Sequence, residues 1–187
     1  MKQNELNVST VLMPGNATAE NSTASANQPK KNSVKNHPGV YVPPPLIYIA
    51  CFFFSYVLQR IVPLPQTWFH TLGASITGTL LLALAFLFLL PALRRFFISK
   101  NTLVTIKPAT SLQTEGVYGI TRNPMYLGLL LLYTGLAQFF GNAWTLLLLP
   151  VLFLIVQSYI IRREEKYLQR AFGAEYNAYQ QKVRRWL

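Results

Sequence analysis

Aspartate is absent from the 187-residue chain, cysteine occurs once and histidine only twice. The lone Cys51 excludes a disulfide framework and a cysteine-based metal site. His37 and His70 have no partner at metal-ligand spacing, so zinc, calcium and iron centres are not expected. Acidic residues are scarce as well: six glutamates face 17 lysines and arginines, for a net charge of +11. A nucleic-acid surface is not the reading of that charge, because the basic residues border long hydrophobic runs and do not line a solvated face.

Hydrophobic residues make up 51% of the sequence and fall in four runs, about 46–62, 68–93, 124–140 and 143–161. At about 1.5 Å per residue each is long enough to cross a hydrocarbon core, the first only just. The expected fold is therefore all-α: a polytopic membrane bundle of about four transmembrane helices followed by an amphipathic C-terminal helical segment. Residues 1–40, rich in Asn, Ser, Thr, Ala and Lys, are read as a disordered tail, since they cannot bury enough apolar surface to offset ordering. The remainder, 41–187, is one membrane domain with a loop over 94–123 and C-terminal helices over 162–187. Trp68 and His70 read as interfacial anchors, and Gly, Ser and Thr in the first half of the second run suit close helix packing. Gly141-Asn142 reads as a hairpin turn, Asn123 as a cap for the third helix, Pro150 as a kink in the fourth and Gly173 as a break in the C-terminal segment.

Lys and Arg are missing from the 63–67 connector and the 141–142 turn, but they crowd the segments before the first run, between the second and third, and after the fourth. With four spans all three basic zones lie on one side, which places both termini in the cytoplasm, in a bacterial inner membrane. Three N-x-S/T matches in the tail, at Asn7, Asn16 and Asn21, then lie on the unglycosylated side.

Two segments carry candidate chemistry. GVYGITRNPMYLG, Gly116 to Gly128, brings Arg122 and Tyr126 to the start of the third helix, four residues apart and on one side. Backbone N–H groups and the helix dipole there suit a carboxylate ligand. Arg122 as an orientation anchor and Tyr126 as a belt residue is the plainer alternative. Glu164 and Glu165 follow the fourth span directly, where a helix C-terminus disfavours negative charge by a few tenths to about 1 kcal/mol, so they call for a cationic partner. Arg122, Arg163 and Lys166 are candidates, as is a cationic ligand. In RREEKYLQRAFGAEYNAYQQKVRRWL, the apolar residues Leu168, Phe172, Tyr176, Tyr179, Val183 and Trp186 recur every three or four positions and share a helix face. That face lies on lipid or closes against the 94–123 loop.

The two segments, one helical hairpin apart, resemble the superfamily of isoprenylcysteine carboxyl methyltransferases and phospholipid N-methyltransferases. The resemblance covers roughly Thr102 to Leu187. Gly116, Tyr118, Arg122, Pro124, Tyr126 and Gly128 match its first motif, and Glu164, Glu165, Leu168, Phe172, Gly173, Tyr176 and Tyr179 its second. Asn123 stands where members that methylate prenylated cysteine carry His, and bacterial relatives with Asn are the closer likeness. The resemblance implies an integral membrane enzyme that takes S-adenosylmethionine in a cytoplasm-facing pocket and a lipophilic or lipidated acceptor from the bilayer. It implies Arg122 and Glu165 as catalytic residues, and Tyr118, Arg122, Asn123, Pro124, Tyr126, Leu127, Glu164 and Glu165 as cofactor-binding. With no evident base, a carboxylate acceptor is preferred over a phospholipid amine. A non-enzymatic protein that binds lipid or a partner through its basic face is the competing reading.

Reporters fused to the two ends test the topology. Both are expected to register on the cytoplasmic side, and glycosylation at Asn16 in a eukaryotic host would contradict it.

Overall fold

A computed structural model of the protein describes residues 39–98, 111–140 and 142–187. The expected disordered tail, but for its last two residues, and the middle of the basic loop lie outside those residues. Among the described residues the fold is helical, without strands: α1 (Pro44–Ile61), α2 (Leu72–Ile98), α3 (Pro124–Phe140), α4 (Ala143–Ile155) and α5 (Arg162–Lys182). Short 3-10 turns occupy Thr67–His70 and Gly116–Gly119, and a π-helical stretch, Val156–Ile161, joins α4 to α5. Three of these helical stretches are long and apolar enough to cross a membrane: α1, α2 and the stretch that runs from α4 through the π turns into α5. At 17 residues, α3 spans about 26 Å, the length of a thin hydrocarbon core.

Local sequence explains most boundaries. Pro44 begins α1, where a missing N–H costs nothing. The second helix starts at Leu72 and not near Trp68, because the Thr71 hydroxyl accepts from Ala74 N at 3.2 Å and caps it there. At its other end α2 runs on to Ile98, so Arg94 and Arg95 belong to the helix and not to the loop. Asn142 caps α4 by accepting from Trp144 N at 3.0 Å. Pro150 lies inside α4, and the departure from α hydrogen bonding comes later, in the π turns, a change of register that commonly marks functional sites.

Polar contacts order the helices along the bundle. At one end the Tyr48 hydroxyl of α1 donates to Tyr126 O at the start of α3, 3.2 Å away. Midway, Cys51 Sγ lies 3.4 Å from the Tyr133 hydroxyl. At the far end Ser55 Oγ is 2.7 Å from Thr145 Oγ1, and Asn142 Nδ2 donates to Ser55 at 3.2 Å. Such side-chain bonds add to van der Waals packing between helices that have no hydrophobic drive to associate in lipid. The starts of α1 and α3 and the ends of α2 and the π stretch therefore share one end. Arg94, Arg95, Arg122, Arg162, Arg163 and Lys166 gather at that end, as the loop charges suggested.

Packing between α2 and α3 is closest where glycine removes the side chain. A Cβ on Gly128 would sit 2.6 Å from Leu89 Cγ and 3.2 Å from Ala85 O, and one on Gly135 would sit 3.2 Å from Gly78 O. The core between α1, α3 and α4 is built from Tyr48, Tyr133, Leu152, Val156 and Ile160. Through these contacts the start of α3 is seated against α1, α2 and the end of the π stretch.

Gly128→Val is expected to lower stability by roughly 1–3 kcal/mol through overpacking against backbone. Gly73→Ala meets only Thr71 Oγ1 at 3.9 Å and is expected to melt like the parent. Thermal denaturation in detergent compares the two.

Candidate functional site

At the charged end of the bundle, the segment before α3, the first turn of α5 and the last residues of the chain converge. Gly116 takes φ +62°, a left-handed conformation that suits glycine, and begins the 3-10 turn carrying Tyr118. Thr121 N donates to Val117 O at 3.2 Å, and the chain then enters α3 at Pro124. From here Arg122 and Tyr126 reach the start of α5, each to a different glutamate.

Glu165 takes the first contact. Arg122 Nη1 lies 3.2 Å from its Oε1, with the two side chains 11% and 12% exposed. Arg185 completes the group: its Nε donates to Glu165 Oε1 at 2.9 Å and its Nη2 to Oε2 at 2.6 Å, a bidentate fork. Two guanidinium groups thus share one carboxylate. Arg122 Nε is buried without a hydrogen-bond acceptor among the described residues, and Nη1 has its ion-pair contact with Glu165 but no aligned hydrogen bond, while the guanidinium also lies beside the Tyr176 hydroxyl.

Glu164 takes the second. The Tyr126 hydroxyl, itself buried, donates to Glu164 Oε1 at 2.7 Å. No cation lies within ion-pair distance of Glu164 among the described residues. Burial pushes its carboxyl up to about 7, opposed by the Tyr126 hydrogen bond and reinforced by the neighbouring Glu165 charge. Burial likewise raises the Tyr118 hydroxyl to about 12, with the Glu164 charge adding and Arg95 opposing. The adjacent glutamates therefore differ: one is held between arginines, the other faces a neutral phenol.

The end of the chain straps the site. Gly173, at φ 49° and ψ −117°, breaks α5 as its sequence suggested, and the second part turns back over the segment before α3. Tyr176, Tyr179 and Val183 pack with Leu112, Leu168 and Phe172. The Tyr179 hydroxyl donates to Tyr118 O at 2.6 Å. Helix ends at Lys182, because Val183 is extended, so the apolar period that reached Trp186 does not continue as helix. Instead the strap lays its carbonyls on the loop: Arg122 N donates to Arg184 O at 2.9 Å. Thr121 Oγ1 and Asn123 Nδ2 donate to Arg185 O at 3.1 and 2.9 Å. Trp186 then inserts beside Phe153, its Nε1 donating to Gln157 Oε1 of the π stretch at 2.8 Å.

Of the residues expected from sequence, Tyr118, Arg122, Asn123, Tyr126, Glu164 and Glu165 come together here. Pro124 is buried at the first turn of α3, and Leu127 is partly buried behind it, its N–H donating to Asn123 O. Asn123 occupies the cap position, but its side-chain amide reaches to the strap and not to the helix, a contact that only the folded chain offers. Arg185 and Gln157 were not foreseen. An Arg-Arg-Trp end beyond an amphipathic period is the one trace of Arg185 in the sequence. Arg163, considered as a partner for the glutamates, instead lies over the Tyr159 ring at 4.4 Å and donates to Gly39 O. A cavity of about 640 Å³ lies at the opposite end of the bundle, near Trp68, Gln138 and Leu146. No ionisable side chain lines it.

A protein-family model described as phospholipid methyltransferase matches residues 74–175, from α2 through the Glu164-Glu165 turn. The chain is also 44% identical over 63 residues to an uncharacterized protein of Haemophilus influenzae, a stretch covering 34% of this chain and all of that one. No solved structure matches.

Arg185→Gln breaks the fork on Glu165 and is expected to destabilise the fold by roughly 1–3 kcal/mol, given that the pair is only partly buried. Arg184→Gln touches an exposed side chain and is expected to be neutral. Chemical denaturation followed by tryptophan emission separates them.

Proposed function

Since the chain belongs to the phospholipid methyltransferase family, we propose that it methylates a lipophilic acceptor at this strapped end of the bundle, with S-adenosylmethionine as donor. The observation that carries the reading is the half-satisfied Arg122. Its Nε is buried with no acceptor among the described residues and its Nη1 has only the ion-pair contact with Glu165, an arrangement that a ligand carboxylate would complete. The site fits that donor on a second count, because Glu164 presents a carboxylate without a cation to the same region. S-adenosylmethionine would supply an electrophilic methyl group on a sulfonium.

The chain's own residues do the positioning. Glu165 fixes the Arg122 plane and is itself fixed by Arg185, while Tyr126 orients Glu164. Asn123, Tyr118, Pro124 and Leu127 line the approach, and the strap with Trp186 keeps water from it. Alignment and exclusion of water are the main demands of a displacement at a methyl carbon, so no acid–base dyad is required. A lipophilic carboxylate is the acceptor preferred on those grounds, as it attacks without losing a proton. Glu164 favours a second reading, a lipid amine, because a carboxyl near neutrality can take an ammonium proton. The acceptor enters from the bilayer, and both termini with the basic end face the cytoplasm of a bacterial inner membrane.

Purified protein in detergent is expected to bind S-adenosylmethionine saturably, and Arg122→Ala to weaken binding by at least about tenfold, roughly 1.4 kcal/mol. Size-exclusion profiles check that the variant is folded. No saturable binding by the wild type overturns the proposal, and labelled methyl transfer into lipid extracts identifies the acceptor.

A further inference from the structure

The end of the bundle away from the arginines holds a cavity of about 640 Å³ to which the methyltransferase reading gives no role. The starts of α2 and α4, the end of α3 and the 3-10 turn at Thr67–His70 bound it. Phe69, Ala74, Leu146 and Leu147 make most of its wall apolar. Two hydroxyls on the wall are already spent on backbone: Thr71 Oγ1 donates to Trp68 O and Thr77 Oγ1 to Gly73 O, each at 2.9 Å. The Gln138 amide makes no hydrogen bond among the described residues, and Trp68 presents an exposed indole at the edge. We propose that the cavity is a lipid-chain site. It takes one hydrocarbon chain of a bilayer lipid from the side opposite the arginines, and the Gln138 amide donates to the ester oxygen at the head of that chain.

The wall decides the occupant. At about 30 Å³ per molecule the cavity would hold roughly 20 waters, each wanting about two to four polar partners, against one free amide and one indole N–H. A charged ligand finds no ionisable side chain to pair with. Hydrocarbon meets neither objection. The cavity also continues the lipid-facing surface, since Leu72, Ile76 and Leu147 beside it are 78%, 51% and 58% exposed on stretches that can cross a membrane. Its volume falls within the roughly 300–1,000 Å³ of sites that hold one small ligand.

This site is separate from the strapped end. From Gln138 towards the arginines α2 and α3 are in contact: a Cβ on Gly78 would sit 3.0 Å from Gln138 Cβ, and one on Gly135 would sit 3.2 Å from Gly78 O. On the other side Ser55, Asn142 and Thr145 tie α1 to the start of α4 through buried hydrogen bonds. Tyr126 is twelve residues back along α3 from Gln138, about 18 Å. The lipid chain seated here is therefore not the methyl acceptor, and the proposal goes beyond the methyltransferase reading without resting on it.

The experiment is a titration of the delipidated full chain in detergent with phosphatidylcholine brominated on one acyl chain, read by quenching of tryptophan emission. Trp68 lines the cavity, whereas Trp186 beside Phe153 at the strapped end supplies an unquenched remainder. Quenching is expected to saturate at one lipid per chain and to be reversed by excess unbrominated lipid. Gly73→Leu builds into the cavity from its wall, where a Cβ meets only Thr71 Oγ1 at 3.9 Å, and is expected to weaken binding by at least about tenfold. Gln138→Leu keeps the wall but removes the amide, and is expected to weaken binding by about threefold to tenfold, the worth of one hydrogen bond. Brominated phosphatidylglycerol, whose headgroup is anionic, is expected to bind as tightly as phosphatidylcholine, because the wall carries no charge. Quenching that never saturates, saturation that persists in Gly73→Leu, or a strong preference for one headgroup overturns the proposal. Should Gly73→Leu fail to fold, Ala143→Leu on the α4 wall is the second variant, with the same expected loss. S-adenosylmethionine binding is expected to be unchanged in Gly73→Leu, and its loss there overturns the separation of the two sites. Saturable lipid binding by a wild type that takes no S-adenosylmethionine upholds this site and overturns the methyltransferase reading alone.

Discussion

A single carboxylate, Glu165, joins three parts of the chain that are far apart in sequence. Arg122 comes from the segment before α3, Glu165 from the first turn of α5 and Arg185 from the strap. Removing one member of such a partly buried ion pair costs roughly 1–3 kcal/mol, because the charge left behind has lost much of its solvent. The strap's carbonyls take the N–H of Arg122 and the side chains of Thr121 and Asn123 only while Arg185 is held in place. Trp186 can reach Gln157 and Phe153 only from the end of that strap. The enclosure of the charged end therefore depends on this one shared anion.

The membrane helices supply the frame on which that anion acts. Close approach of α2 and α3 at Gly128 and Gly135 fixes where α3 begins, and hence where Arg122 and Tyr126 project. In lipid, such approach gives the contact area that hydrophobic burial gives in water. The π turns at Val156–Ile161 set the phase of α5 relative to α4, so that Glu164 faces Tyr126 and Glu165 faces the arginines. Two adjacent residues on a helix point about 100° apart, which is why they can live in different electrostatic surroundings.

Much of this was legible beforehand. The four hydrophobic runs became α1 to α4, the break at Gly173 is real, and the two motifs do meet. What was misplaced was misplaced for local reasons. Thr71 competes with Trp68 to begin α2, and an apolar period cannot say that Val183 leaves the helix while Trp186 goes on to another cluster. Asn123 reads as an ordinary cap because the alternative acceptor, Arg185 O, is 62 residues away. Arg185 itself looks like one more basic flank.

Composition and period were enough to determine the helical membrane class, the run lengths and the gathering of basic residues at one end, because each follows from how residues partition along one helix or one bilayer. Arg122, Tyr126, Glu164 and Glu165 were singled out as candidates by their two motifs and the resemblance those motifs carry. Only the tertiary structure decided which glutamate is neutralised and which is not. That depends on distances between side chains brought together from three segments, and a carboxylate's charge state is set by those neighbours and by burial, neither of which is written in the order of residues along the chain.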